Sequence, residues 1–205
     1  MAMPHDIDTS QQALERLLNQ IRACRCCARV LPFEPRPVVR ARVTARLLIV
    51  GQAPGTRVHE TGIPWNDPSG DRLRLWLGLD RDTFYDDARI AIIPMGLCYP
   101  GRTPRGGDLP PRPECASLWL PKLLPLLPQI KLTVLAGTYA QRAYLGNKAK
   151  STLMKTVWDW REYAPEYVPL PHPSFRNNRW LRDNPWFEAE LLPMLCEHVQ
   201  HALRP

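Results

Sequence analysis

The chain has 205 residues, 44% hydrophobic and 23% charged, a composition that fits a folded globular protein and not a disordered one. No run approaches the roughly 20 apolar residues of a membrane span. The opening Met-Ala-Met-Pro-His-Asp-Ile-Asp lacks the basic-then-apolar order of a secretory signal, so the cytoplasm is the expected compartment. The formal net charge of +7 suits an anionic partner, and charge alone leaves open whether that partner is nucleic acid or the basic surface is simply solvated.

At this length a single domain spanning 1–205 is expected, with room for one buried core. Leu14, Leu17, Leu18 and Ile21 recur at helical spacing and predict an amphipathic helix over 10–22, with Ser10 as N-cap. Cys24, Cys26 and Cys27 follow, then a Pro/Arg-rich extended segment to about residue 44. Six cysteines in a cytosolic chain point away from disulfides. Residues 46–50 read as the first buried strand. Ser69 is expected to cap a helix that turns Leu73, Trp76 and Leu77 inward and ends at Gly78. A second strand is expected at 90–94. Residues 95–113 form a long loop of Gly, Pro and Arg, a length that is usually functional or disordered. The helical pattern of 114–127 carries Pro121 and Pro125, which should shorten or kink it. A third strand at 132–137, helices at 138–145 and 151–161, a fourth strand at 167–170 and one helix from Trp180 to His201, bent near Pro193, complete the chain. This alternation predicts an α/β fold: a three-layer α/β/α sandwich around a four-stranded parallel sheet.

Two apolar runs end in polar, Gly/Pro-punctuated turns: Leu47–Val50 before Gly51-Gln52-Ala53-Pro54-Gly55, and Val168–Leu170 before Pro171-His172-Pro173-Ser174-Phe175-Arg176-Asn177. As strands of one parallel sheet they put both turns at its carboxyl edge, where open α/β sheets hold ligands. The 51–55 turn permits close backbone approach and offers N–H groups to an anion. It is neither a dinucleotide fingerprint nor a Walker loop, and a plain strand-to-loop turn would look similar. Trp65 can stack on a planar ligand or plug the core. A neutral His172 can donate a hydrogen bond to a developing anion, and Ser174 can bind phosphate. Arg176 and Asn177 can reach a nucleic-acid backbone or fill a gap in a duplex.

In this order, Gly-Gln-Ala-Pro-Gly, then T-G-x-P-W at 61–65, then a strand with a Cys/Pro/Gly-rich loop, then H-P-S-x-R-N, the motifs resemble the uracil-DNA glycosylase superfamily. The nearest branch is the bacterial and archaeal iron–sulfur type, although the last motif is more like that of the single-strand-selective branch. The resemblance runs from Cys24 to the final helix. It implies a monomeric, monofunctional enzyme that hydrolyses the N-glycosidic bond of uracil in single- or double-stranded DNA. The flipped base would stack on Trp65. Gly51, Ala53, Pro54, Gly55 and Ser174 would hold phosphate and sugar. Met95 joins the substrate-binding set, Arg176 and Asn177 press on the duplex, and His172 stabilises the leaving base. It also implies a [4Fe–4S] cluster on Cys24, Cys27, Cys98 and Cys115. Spacing alone equally allows tetrahedral zinc, or four buried thiols without metal. Three departures stand out. Ala53 replaces the catalytic Asp of the best-known branch, Gln52 replaces the Glu of the iron–sulfur type, and Pro94 replaces the Asn with which that type reads uracil. The water's activator is left open among Asp67, His59, Glu60 and Asp71, with Gln52 able only to orient it. Two other readings also stay open: a glycosylase for other deaminated bases, and a catalytically silent DNA-binding member of the fold.

Overall fold

Four short strands carry the fold, each apolar because both of its faces are covered. The computed structural model describes residues 4–104 and 106–204; residues 1–3, the start of the segment read for a secretory signal, lie outside them. The strands are β1 (Leu47–Val50), β2 (Ile90–Ile92), β3 (Leu132–Ala136) and β4 (Tyr167–Leu170). They form one sheet in the order β2-β1-β3-β4 with every pair parallel. Val50 pairs with Leu135, and Ala136 with Leu170, so the chain leaves β1 and β4 at the same edge.

The sheet separates two apolar layers, as the period of 2 along a strand requires. Leu48 and Val50 pack with Leu14, Ile21, Trp119 and Leu123 on one side. Leu47 and Ile49 pack with Leu73, Leu77, Phe187 and Val199 on the other. The three-layer α/β/α sandwich and its four-stranded parallel sheet are therefore as expected.

The helices differ in detail. Helix α1 (Pro4–Arg22) starts ahead of Ser10. Helices α2 (Thr56–Thr61) and α4 (Arg81–Tyr85) were not legible, because one or two turns are too short to show a period. The cap of α3 (Pro68–Leu77) is Asp67, not Ser69: its carboxylate accepts from Gly70 N at 2.8 Å. Pro68 takes the first helical position, where its missing N–H costs nothing. Gly78 ends α3 in the left-handed region, as expected, at φ 63°.

Helix α5 (Pro113–Leu123) gives way to a 3-10 turn at 124–126, a shortening that fits Pro121 and Pro125. Helix α6 (Thr138–Leu145) stands as read, while α7 (Leu153–Trp158) stops early and leaves Trp160 in a 3-10 turn. The final helix is not continuous. Helix α8 (Asn178–Asp183) ends before Asn184, and a π turn at 187–191 leads into α9 (Leu192–Leu203). The break falls at Pro185, whose ring disfavours helical backbone at Asn184, and not at Pro193, which sits harmlessly in the first turn of α9. Among the described residues no helix is long and apolar enough to cross a membrane.

Candidate active site

The turns after β1 and β4 open onto one cleft of about 680 Å³, within the range of small-molecule pockets. Its shape begins with the 51–55 turn, which is stitched to the segment after β2. Met95 N donates to Gly51 O and Gly96 N to Gln52 O, both at 2.9 Å. Trp65 closes one side. A Cβ on Gly51 would stand 2.7 Å from the Trp65 ring, so the indole lies directly on the glycine backbone. Trp65 has φ 56°, the one positive φ among the described non-glycine residues. Such a backbone costs on the order of 1–3 kcal/mol and persists only where its surroundings fix it. Here Arg74 donates to Trp65 O at 3.3 Å, and Gly70 has no Cβ to collide with that carbonyl.

His172 faces Trp65, with ring centroids 5.5 Å apart and planes inclined by 32°. Its turn is closed by Asn177, whose side-chain amide donates to His172 O at 2.6 Å, and braced by Arg72, which donates to Ser174 O at 3.1 Å. Arg176 reaches across to Gly106 O at 2.9 Å. That carbonyl belongs to a hairpin at 101–109, in which Leu109 N donates to Gly101 O and Arg102 pairs with Asp108 at 3.5 Å. Gln52 pins the hairpin from the other side by donating its amide to Leu109 O at 3.0 Å.

The cleft brings together Gly51, Gln52, Ala53, Pro54, Gly55, Trp65, Asp67, His172, Ser174, Arg176 and Asn177 of the expected residues. Val38, Pro64, Ile92 and Pro94 give it an apolar wall. Met95 is buried outside the lining, and its N–H is committed to Gly51. His59 also stands apart, stacked on Phe33 at 5.4 Å and beside Tyr99 at 5.8 Å. Glu60 and Asp71 are likewise outside the lining, and Asp71 pairs with Arg74. Sequence reasoning missed Arg102, Asp108 and Phe175. Phe175 is 74% exposed at the rim. An apolar residue inside the His-Pro-Ser turn was a visible signal for it. Asp108 had none, since it lies more than fifty residues from the turn it approaches.

Burial pushes the His172 pKa below the ordinary histidine value, and the carboxylates of Asp67 and Asp108 pull it partly back. The imidazole is therefore neutral at neutral pH, with an N–H to donate and no charge of its own.

Cys24, Cys27, Cys98 and Cys115 line a second, small cavity together with Arg112 and Trp119. Burial, then the neighbouring Cys115, pushes the Cys98 thiol up to about 12. Burial likewise takes Cys115 to about 11, against a hydrogen bond from Leu97 N. Cys26 is exposed and outside this cavity, and Cys196 lies elsewhere, donating to Trp76 O. Among the described residues no three His, Cys, Asp or Glu side chains form a ready-made ion site. The donor set still fits a cationic cluster: four thiols from three segments share one cavity.

The family model described as the uracil DNA glycosylase superfamily matches residues 39–196. That span holds all four strands, both turns and the whole lining of the cleft apart from Val38. On a match covering most of its length, this chain belongs to the uracil DNA glycosylase superfamily.

Proposed function

We propose that the protein excises uracil from DNA, acting as a monomer and leaving an abasic site. Membership of the superfamily implies DNA glycosylase activity. The observation that carries the finer reading is the pairing of Trp65 with His172, a stacking surface facing a neutral hydrogen-bond donor. A base buried in a duplex is out of reach, so the target nucleotide must swing out into the cleft. There it stacks on Trp65, which contributes roughly 1–3 kcal/mol. The amides of the 51–55 turn and the Ser174 hydroxyl receive the flanking phosphates. Arg176 meets the backbone, and the exposed Phe175 ring fills the gap left in the stack. As the glycosidic bond lengthens, the sugar gains positive charge and the base negative charge. The His172 N–H then donates to a base carbonyl, an interaction stronger in the transition state than in the ground state.

The four cavity cysteines are proposed to hold a [4Fe–4S] cluster. It would act as a cross-link among the segments after α1, after β2 and at the start of α5, with no part in the hydrolysis.

A second reading is favoured by the apolar wall. Val38, Ile92 and Pro94 offer no side-chain amide to read the polar edge of uracil. A wider range of deaminated bases fits such a wall. One panel of single- and double-stranded oligonucleotides carrying uracil, hypoxanthine or xanthine tests both. Abasic product from uracil alone supports excision of uracil; product from several supports the wider range. Salt-dependent DNA binding with no product on any substrate overturns both and leaves a silent member of the fold.

A further inference from the structure

We propose that Asp108 is the carboxylate that accepts the proton of the attacking water, an inference that rests on the glycosylase reading above. The 51–55 turn carries no acid, since Gln52 and Ala53 stand there. Among the described residues, Asp67 and Asp108 are the two acidic side chains in the cleft lining. Asp67 is committed: its carboxylate caps α3 through Gly70 N, next to the backbone that holds Trp65. Among the described residues, the side chain of Asp108 pairs with Arg102 alone, at 3.5 Å. The hairpin lays it over the anion-binding turn, where its Oδ2 lies 3.8 Å from the place a Cβ on Gly55 would occupy. Its charge also reaches His172. Asp108 therefore stands over the proposed seat of the sugar phosphate, in the same cleft as His172, with a carboxylate oxygen free to take a proton from a water held there.

The hairpin is fixed at two points. Gln52 holds Leu109 O and Arg176 holds Gly106 O, so Asp108, which lies between them, is not left to drift. The 51–55 turn, with no acid of its own, thus supplies through Gln52 an amide that holds the hairpin bearing one.

The step balances as hydrolysis. The water oxygen bonds to the sugar C1′ while one water proton passes to Asp108. The C1′–N bond breaks, and its electron pair leaves with the base as an anion held by the His172 N–H. The proton on Asp108 then passes to the base or to solvent. One water is consumed, and an abasic sugar and a free base remain. Among the described residues, Arg102 on its own hairpin pairs with Asp108, and Arg176 and His172 from the turn after β4 and Asp67 ahead of α3 share the cleft with it.

The test is single-turnover cleavage of a uracil oligonucleotide at neutral pH by wild type, Asp108→Asn and Asp108→Glu. Affinity is measured in parallel with a 2′-fluorinated, cleavage-resistant uracil oligonucleotide. The expected result is an Asp108→Asn rate at least about 100-fold down with DNA affinity retained. Asp108→Glu should recover part of the rate. An Asp108→Asn rate within about threefold of an active wild type overturns the assignment alone. So does a loss of DNA affinity that matches the loss of rate. A wild type inactive on every lesion overturns the glycosylase reading, and this assignment with it.

Discussion

The Trp65 indole rests on Gly51 so closely that a Cβ there would meet the ring at 2.7 Å, with the glycine backbone serving as the floor of the stacking platform. Gly51→Ala is expected to push the ring toward His172 and narrow the space for a base. DNA affinity and cleavage should fall at least about tenfold, while the melting temperature moves little, because the ring is at the cleft and can shift into it. Cleavage kinetics beside a thermal melt check this; an unchanged rate would mean that the indole is not the platform.

His172→Ala is expected to slow cleavage by about 10²–10³-fold, the usual loss for one donor to a developing anion. The same variant should change the pH dependence of stability. Burial holds the folded His172 below its ordinary value of 6.5, while the unfolded chain titrates near that value. Below pH 6.5 the unfolded state binds the proton that the folded state still excludes, so this group lowers stability as the pH falls until the folded value is reached. The melting temperature of wild type should therefore drop more between pH 7.5 and 5.5 than that of His172→Ala. Equal drops would remove the buried, neutral imidazole.

The strands and both turns were legible in the sequence because parallel strands buried on two faces read as short apolar runs closed by Gly and Pro. Trp65 was visible as an aromatic in a loop, but its left-handed backbone was not, since it depends on Gly70 and Arg74 closing over its carbonyl. His59 reads as a polar residue near the motif, yet local helical geometry in α2 turns it onto Phe33. Asp108 became part of the cleft only through long-range bonds from Gln52 and Arg176, which no local pattern encodes.

Cys98→Ser tests the second cavity. Wild type purified anaerobically should be yellow-brown with about four irons per chain. Cys98→Ser should lose iron and melt at a lower temperature, since the half-buried Cys98 lies in one cavity with Cys24, Cys27 and Cys115, which a cluster would tie together. Zinc in place of iron would show as a colourless protein with one metal. A metal-free wild type whose melt Cys98→Ser leaves unchanged would leave four half-buried thiols and refute the cluster.

Gln52→Glu places an acid in the 51–55 turn and separates two roles for this position. If the side chain serves the water, a carboxylate should raise activity. If it serves the hairpin, the change should lower it, because the Gln52 amide donates to Leu109 O at 3.0 Å and a carboxylate facing that carbonyl has no proton to give. The lost bond would leave two acceptors opposed. The expected outcome is slower cleavage together with faster proteolysis of the 101–109 hairpin, with Gln52→Ala giving the milder version of both. Faster cleavage by Gln52→Glu, with the hairpin as resistant as in wild type, would return the acid to the 51–55 turn and take Asp108 out of the reaction.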